Sequence, residues 1–239
     1  MQRAIIIGAS AGIGRELAKV LAGEGYILGL AARRVELLTA LKRELPTTSF
    51  VKRIDVTRTD EARKLLDELA REMGGVDFII ISAGVIFQDP DWDEERETIN
   101  VNVTGFTAMF NYAFNYFCGR GSGHIVGISS VAAVRGGHCS PIYNASKAFV
   151  SNLMHGFRIR ARRMGVNIHI TDIMPGHVST GMMVGQRGAF WVIPTDEAAR
   201  QIATAIRKKR EHAYITPRWR IVVWLMRLLP DRVYARFES

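Results

Sequence analysis

Residues 4–14, Ala-Ile-Ile-Ile-Gly-Ala-Ser-Ala-Gly-Ile-Gly, join a short apolar run to a glycine-rich turn near the start of the chain. The run Ala4–Ile7 predicts a buried strand, and the amphipathic stretch Ile13–Ala22 predicts a helix directly after the turn. Such a turn exposes backbone N–H groups at a helix N-terminus, where those donors and the helix dipole stabilise a phosphate. The spacing G-x-x-x-G-x-G differs from the G-x-G-x-x-G pattern of other phosphate-binding turns, and a turn without a ligand is the alternative interpretation.

Beyond this turn, apolar runs and amphipathic stretches alternate along the chain. The runs are mostly unbroken, as expected for strands that helices cover on both faces. The alternation predicts an α/β fold with a single doubly wound, mostly parallel sheet of about seven strands and helices on both faces. The predicted strands are Ala4–Ile7, Ile27–Ala31, Ser49–Arg53, Phe78–Ser82, His124–Ser129, Asn167–Met174 and Ala213–Ile215. The predicted helices are Ile13–Ala22, Val35–Leu45, Asp60–Met73, Glu94–Phe117, Ile142–Met164 and Asp196–Lys208.

The chain is expected to form one domain, because no linker, repeat or low-complexity tract divides its 239 residues. Residues 1–217 hold the predicted sheet, and residues 218–239 form an amphipathic C-terminal extension of the same domain. The apolar run after Met1 is too short for the core of a secretory signal, and no block of about twenty apolar residues could span a bilayer. We therefore expect a cytoplasmic protein.

The net charge is +9, carried by 25 Arg and 7 Lys. Such a surplus favours an anionic partner, which is a phosphorylated cofactor, an acidic substrate or an anionic membrane surface. Nucleic acid is not predicted, because the chain has no zinc finger, RNP-type aromatic pattern or basic heptad. Cys118 and Cys139 show no zinc-ligand spacing, so no metal site is predicted either.

Two arginines follow the second predicted strand, where dinucleotide-binding sheets of this kind meet the adenosine ribose. An acidic residue there binds a ribose 2′-hydroxyl, whereas arginine accommodates a 2′-phosphate. Arg33 and Arg34 occupy the position and no carboxylate does. Since a guanidinium binds phosphate through two parallel hydrogen bonds, NADP(H) is favoured over NAD(H). The alternative is a solvated, charged helix start. The pair Asp55–Val56 either meets the adenine edge or begins the next helix.

Tyr143 and Lys147 lie four residues apart on a predicted helix, so both occupy one face. The pKa of a free tyrosine is about 10, and a neighbouring ammonium favours the phenolate. Lys147 is therefore expected to lower the pKa of Tyr143 toward a value useful for acid/base chemistry. Ser130 follows a predicted strand, and strand ends meet ligands at the carboxyl edge of a parallel sheet. A hydroxyl there would stabilise a carbonyl oxygen, unless Ser129 and Ser130 only terminate the strand.

In the order and spacing of these segments, the chain resembles the short-chain dehydrogenase/reductase family over residues 3 to about 215. The resemblance implies a Rossmann-type dinucleotide-binding and catalytic domain that works as a homodimer or homotetramer. It also implies hydride transfer between NADP(H) and a small-molecule alcohol or carbonyl compound. The matching segments are Gly8–Gly14, Ala31–Arg34, Asp55–Val56, Ser82–Gly84, Asn102–Gly105, Ile128–Ser130, Tyr143–Lys147 and Pro175–Thr180.

The resemblance also implies residue roles. Tyr143 would be the acid/base, Lys147 would hold the nicotinamide ribose, and Ser130 would orient the substrate oxygen. Asn102 would support a water relay to Lys147, although from the residues alone it is an ordinary polar helix position. The family's Asn-Asn-Ala-Gly is Ile81-Ser82-Ala83-Gly84 here, so an asparagine contact is replaced by a smaller one. The predicted cofactor-binding residues are Gly8, Ser10, Ala11, Gly12, Ile13, Gly14, Arg33, Arg34, Asp55, Val56, Ser82, Ala83, Gly84, Tyr143, Lys147, Pro175, Gly176, Val178 and Thr180, the last of them near the nicotinamide amide.

The substrate is expected to be apolar or bulky. The resemblance assigns pocket-shaping to the loop with His138 and Cys139 and to residues 181–194, which include Met182, Met183, Phe190 and Trp191. Ordinary lid packing is the alternative for these side chains. A non-catalytic, NADP(H)-binding redox-sensing regulator is the alternative function. A nucleotide-sugar epimerase would need a larger C-terminal region than this chain has.

Pro217 and Pro230 bracket a predicted C-terminal helix, residues 218–229, that is apolar around most of its circumference. Arg220 and Arg227 fall on one narrow strip of it. About a dozen residues are too few to span a bilayer. The helix is expected either to pack over the substrate pocket or a subunit interface, or to lie on the inner membrane surface. In the second case the basic residues 207–210 are expected nearby, attracting anionic lipid.

Overall fold

The computed structural model of the protein describes residues 1–181 and 190–235. Its strands are β1 (Arg3–Ile7), β2 (Ile27–Ala32), β3 (Ser49–Arg53), β4 (Phe78–Ile81), β5 (Ser122–Ile128), β6 (Asn167–Pro175), β7 (Val178–Ser179), β8 (Ile193–Pro194) and β9 (His212–Ile215). A seven-stranded sheet has the order β3-β2-β1-β4-β5-β6-β9, and β7 and β8 pair separately. Every pairing in the large sheet is parallel.

The described helices alternate with the strands. They are α1 (Gly12–Gly23), α2 (Val35–Glu44), α3 (Thr59–Glu72), α4 (Trp92–Thr98), α5 (Phe106–Arg120), α6 (Pro141–Met164), α7 (Thr195–Arg207), α8 (Trp219–Leu228) and α9 (Asp231–Tyr234). A π-helix spans Ile99–Gly105, and a 3₁₀-helix spans Val131–Val134.

Helices cover both faces of the large sheet. α1, α2 and α7 pack in one core, and α3, α5 and α6 pack in the other. Consecutive residues of β1 enter different cores, because strand side chains alternate between faces: Ile6 joins the first, whereas Ile5 and Ile7 join the second. The predicted doubly wound, Rossmann-type α/β fold is confirmed.

The predicted helix Glu94–Phe117 is not continuous. The π-helix separates α4 from α5 and carries Asn102 in its middle. Its last residue, Gly105, lies so close to Val56 that a Cβ there would come within 2.8 Å of the Val56 Cγ2 atom. A π-helix widens the turn by one residue, and hydrophobic periodicity does not reveal that insertion.

The basic cluster 207–210 lies at the amino edge of the sheet, before β9, whereas α8 follows the carboxyl end of β9. The six steps along the chain from Arg210 to Thr216 span roughly 20 Å when extended, at about 3.3 Å per residue. The prediction that this cluster adjoins the C-terminal helix is therefore wrong. In the part of the chain described, no helix has the length and apolar character needed to cross a membrane.

His124 on β5 is a buried titratable group, 2% exposed. Its Nε2 shares a 2.8 Å hydrogen bond with Thr171 Oγ1, and its ring lies against Phe78 and His169. Burial, with a smaller contribution from His169, lowers the pKa of His124 from 6.5 to about 3. The folded protein therefore holds this imidazole neutral in mildly acidic solution.

We predict that His124 makes the protein less stable as the pH falls. Between pH 6.5 and about 3 the unfolded chain binds a proton at His124 that the folded protein does not. This difference lowers the free energy of unfolding by up to about 1.4 kcal/mol per pH unit. His124→Asn should flatten that slope in urea unfolding between pH 7 and pH 4, whereas His155→Asn, at an exposed position, should leave it unchanged. Equal slopes for wild type and His124→Asn would refute the assignment.

Candidate active site

Lys147 lies at the centre of the site, on α6. It is 7% exposed, and its ammonium donates a 3.1 Å hydrogen bond to the carbonyl of Ile128 at the end of β5. The same Nζ atom lies 5.5 Å from the centroid of the Tyr143 ring, one helical turn earlier. Tyr143 and Lys147 therefore lie on one face of α6, as predicted, and this face is at the carboxyl edge of the sheet.

The turn after β4 brings Asn102 to the same place. A Cβ on Gly84 would lie 3.3 Å from Asn102 Oδ1 and 3.4 Å from Lys147 Nζ, so Asn102 and Lys147 both approach this glycine closely. The Asn102 amide donates to the carbonyl of Val85 at 2.9 Å and accepts from its N–H at 2.9 Å. It also donates to Ser146 Oγ on α6 at 3.1 Å. Asn102 therefore ties the β4 turn to the catalytic helix.

Ser130 completes the group of four predicted catalytic residues. β5 ends at Ile128, earlier than predicted, because Ser130 caps the 3₁₀-helix by accepting a 3.1 Å hydrogen bond from the N–H of Ala132. Its hydroxyl also donates to the carbonyl of Pro175 at 3.4 Å and interacts with the Tyr143 hydroxyl. The structure therefore brings Asn102, Ser130, Tyr143 and Lys147 together.

The charges of the site differ from the sequence prediction. Burial raises the pKa of Tyr143, and the hydrogen bond with Ser130 opposes that rise only partly. Burial lowers the pKa of Lys147 to about 8, against the attraction of Asp172. The expected lowering of the Tyr143 pKa by Lys147 is absent in this arrangement, because desolvation is the larger effect. Tyr143 accordingly holds its proton at neutral pH.

The glycine turn after β1 has the close approaches that its spacing predicts. Gly8 has φ +93° and leaves no room for a Cβ, which would come within 2.5 Å of the Ala83 N atom. A Cβ on Gly14 would collide with the carbonyl of Gly8, so α1 packs directly on the turn. The N-cap of α1 is Ala11, which has no side-chain acceptor for the first-turn N–H groups.

A cleft of about 380 Å³ lies beside the start of α1. Gly12 faces Thr180 across it, because a Cβ on Gly12 would lie 3.5 Å from Thr180 Cγ2. Thr180, the last residue of the segment Pro175–Thr180, therefore lies next to the glycine turn. The lining residues are Gly12, Glu16, Ser179, Thr180, Gly181, Thr195 and Asp196.

The two arginines after β2 have different partners. Arg34 donates a 3.0 Å hydrogen bond to Ser10 Oγ in the glycine turn, and Arg33 forms an exposed 3.6 Å ion pair with Glu97.

Asp55 accepts hydrogen bonds from the N–H and hydroxyl of Thr57, at 3.0 and 2.8 Å, just before α3. This contact matches the helix-start interpretation of Asp55.

An aromatic cluster closes the site on the side of Gly176. Trp219, at the start of α8, lies against Gly176 so closely that a Cβ would collide with its indole. His177, Phe190 and Trp191 pack around Trp219 with ring centroids 5.2, 5.0 and 6.1 Å away. Met182 and Met183, also predicted to shape the pocket, lie outside the described residues.

Arg135 is a residue that sequence reasoning missed. It donates to the carbonyls of Met226 and Leu229 at 2.7 and 2.6 Å and forms an ion pair with Asp231. Its carbonyl accepts from Asn144, next to Tyr143, at 2.8 Å. Arg135 therefore joins the loop between Ser130 and Tyr143 to the end of α8, and no local sequence pattern indicates this long-range contact.

Cysteine and metal chemistry have little support in the described part of the chain. Cys118 and Cys139 are free and half-buried, and Cys139 Sγ lies 3.1 Å from His138 Nε2 in the loop before α6. Among residues 1–181 and 190–235, no three His, Cys, Asp or Glu side chains gather as a metal-binding group.

Comparisons with known proteins agree with this fold. An uncharacterized oxidoreductase of Mycobacterium tuberculosis is 32% identical, over 99% of this chain and 97% of its own length. A short-chain dehydrogenase from Sphingobium yanoikuyae, solved in complex with NADPH, has a similar fold, with a TM-score of 0.80, 24% identity and 97% of both chains covered. A short-chain dehydrogenase/reductase from Burkholderia phymatum, solved with NAD, gives a TM-score of 0.82 at 22% identity, covering 94% of this chain and 92% of that one. The family model described as short chain dehydrogenase matches residues 2–189. The chain therefore belongs to that family of oxidoreductases.

Proposed function

We propose that this protein is an NADP(H)-dependent oxidoreductase that transfers a hydride between the nicotinamide and an alcohol or carbonyl compound. The observation that carries the proposal is the position of Tyr143, whose ring centroid lies 5.5 Å from the Lys147 ammonium and whose hydroxyl interacts with Ser130. A proton donor, an oxygen-orienting hydroxyl and a cation in one place suit the interconversion of a carbonyl and an alcohol. The regulator alternative does not require this grouping.

The residues around the glycine turn fit a dinucleotide with a 2′-phosphate. The first-turn N–H groups of α1 lack a side-chain acceptor and would bind the pyrophosphate. Arg34 is held over the turn by Ser10, and Arg33 is exposed beside it, so two guanidinium groups are available for the phosphate. When bound, NADP(H) supplies the hydride donor or acceptor. We assign the nicotinamide side to Pro175–Thr180 and the ribose to Lys147.

The protonation states favour reduction of a carbonyl. Because burial raises the pKa of Tyr143, its hydroxyl is protonated at neutral pH and can donate to a substrate oxygen. Ser130 would hold that oxygen by a second hydrogen bond. Lys147, with a pKa of about 8, keeps most of its positive charge at pH 7. The same groups work in reverse for alcohol oxidation.

An apolar or bulky substrate is the best match for the wall of the site. His177, Phe190, Trp191 and Trp219 form a continuous aromatic surface next to Gly176. Phe190 and Trp191 remain 47% and 46% exposed, so they retain area for a ligand. Aromatic rings favour apolar and aromatic compounds over small polar ones.

We also propose a homodimer or homotetramer. The catalytic helix α6 leaves Phe149 and Ile159 40% and 46% exposed on its outer side. Burying such residues against a second copy would remove apolar surface from water.

The exposed face of α8 suits an anionic membrane surface. Trp219 and Val223 are buried, so this helix does cover the site, but Ile221, Trp224 and Leu228 are 61–65% exposed. Arg220 and Arg227 lie exposed along the flank of that apolar face. An apolar stripe with tryptophan and flanking cations is typical of helices that lie in the headgroup region. We therefore propose a cytoplasmic protein that attaches to the inner membrane surface through α8.

The catalytic proposal is tested by following NADPH absorbance with a panel of ketones, aldehydes and alcohols. Tyr143→Phe should lower kcat at least about 100-fold on any compound that is turned over, because the ring remains but the proton donor is lost. NADPH affinity should stay within a few-fold. A variant that retains more than about a tenth of wild-type kcat would remove Tyr143 from the proton step. NADPH binding without turnover of any compound would favour the regulator.

The cofactor preference is tested by Arg33→Asp. The substitution removes one phosphate partner and places a carboxylate where it can bind a ribose hydroxyl, so the ratio of kcat/KM for NADPH over NADH should fall about tenfold or more. Loss of the exposed ion pair between Arg33 and Glu97 should lower the free energy of unfolding only slightly. Arg43→Asp, with the same charge change at the far end of α2, is the matched control. If Arg33→Asp leaves the ratio of kcat/KM for NADPH over NADH unchanged, Arg34 rather than Arg33 would determine the cofactor preference.

Membrane attachment is tested by flotation with vesicles of phosphatidylcholine alone or with phosphatidylglycerol. Removing the whole tail would uncover the site, since Trp219 packs on Gly176, so point substitutions on the outer face are the better test. Wild type should float with the anionic vesicles at low salt, and the double variant Trp224→Ser with Leu228→Ser should not. Trp92→Ser with Phe149→Ser, at exposed positions elsewhere, should float like wild type. Wild type that stays unbound would eliminate the membrane proposal.

A further inference from the structure

A buried carboxylate lies beneath the catalytic lysine. Asp172, in the middle of β6, is 0% exposed. Ser129 donates a hydrogen bond to its Oδ1 atom, and Ser151 donates to its Oδ2 atom at 2.6 Å. Both carboxyl oxygens therefore act as acceptors, which is the arrangement of an ionised aspartate rather than a protonated one.

The Arg158 guanidinium attracts Asp172 electrostatically but makes no direct hydrogen bond to it. The buried Arg158 guanidinium donates to the carbonyls of Ile170 and Glu211, at 3.4 and 2.8 Å, and to His212 Nε2 at 2.8 Å. Because an arginine can only donate, His212 accepts at Nε2 and carries its proton on Nδ1. That Nδ1 atom lies 3.5 Å from Asp172 Oδ2. A neutral imidazole thus stands between the carboxylate and the guanidinium.

Asp172 is linked to the surroundings of Lys147 through its two serine partners. Ser151 follows Lys147 by one turn of α6, so the two side chains share a face. Ser129 directly follows Ile128, whose carbonyl accepts from the Lys147 ammonium. The two serines that hold Asp172 therefore flank the lysine from the helix and from the strand. The titratable and charged groups around the pair are Tyr143 and Arg158 from α6, Asp172 from β6, and Glu211 and His212 from the β9 edge.

A buried aspartate without a direct ion pair is costly, because removing a charge from water carries a large desolvation penalty. A second buried charge of opposite sign nearby offsets that penalty for both groups. Lys147 carries such a charge. Burial lowers the pKa of Lys147 and so favours its neutral form. The Asp172 carboxylate, in contrast, stabilises the charged form of Lys147.

We propose that Asp172 is a positioning residue for Lys147, and that its buried charge keeps the lysine ammonium protonated and directed into the active site. The inference rests on the proposed function only in that Lys147 contacts the cofactor there. The direction of the Lys147 pKa agrees with it: burial lowers this pKa to about 8, and the attraction of Asp172 opposes the decrease. Without the carboxylate, Lys147 would lose its proton at a lower pH.

The decisive measurement is the titration of Lys147 itself, by NMR of protein labelled at the lysine ε-carbon. The chain has seven lysines, and Lys147→Met identifies the signal by its loss. In wild type this signal should titrate near pH 8, and Asp172→Asn should move the midpoint down by about one pH unit. His212→Gln, which keeps the carboxylate, should move it by less than about 0.3 pH unit. A midpoint that Asp172→Asn leaves unchanged would overturn the proposal.

A second readout separates this inference from the proposed function. NADPH affinity, measured by tryptophan fluorescence, should weaken above the Lys147 midpoint, so its pH dependence should shift in Asp172→Asn as the NMR signal does. If Asp172→Asn shifts the titration midpoint of Lys147 but the protein binds no NADPH, the charge coupling is supported and the cofactor assignment is rejected. If Asp172→Asn does not fold, Asp172→Ser, which keeps a smaller hydrogen-bonding group, should give the same downward shift. An unshifted Asp172→Ser would overturn the proposal equally.

Discussion

In the middle of the sheet, the turns that follow β1 and β4 meet backbone to backbone, because Gly8 lies against the Ser82–Ala83 peptide with no space for a side chain. The rest of the site depends on this approach. These two strands are neighbours, with β2 and β3 on one side of them and β5, β6 and β9 on the other. A crevice therefore opens above their ends. Gly84 continues the same turn and leaves room for Asn102 and Lys147 to converge.

Much of the fold could be predicted because the strands are buried on both faces. Ser49–Arg53 has the bounds that its sequence predicts, and the other strands of the large sheet differ by one or two residues at their ends. The site residues were predictable where turn chemistry or helical spacing constrains them, as at Gly8, Tyr143 and Lys147. The short pair β7 and β8 was not, since two residues are too few for a periodicity.

Other features depend on contacts that no local pattern encodes. The direction of the Tyr143 pKa is set by burial, which the spacing to Lys147 does not report. The prediction that the C-terminal helix adjoins residues 207–210 failed because nearness along the chain was taken for nearness in space, and β9 lies between them. Trp219 illustrates the same limit, since only the fold brings it against Gly176. Sequence thus located the chemical groups better than the electrostatics around them.

The contacts of Arg135 limit which segments of such a protein can be exchanged between relatives during evolution. This side chain binds the end of α8, while its backbone carbonyl holds Asn144 beside Tyr143. The C-terminal segment is therefore not an independent module that could be exchanged between relatives by recombination at Pro217. A chimaera would need to inherit the loop 131–140 and the tail from the same parent. The two segments, about 80 residues apart in the chain, form one unit of inheritance.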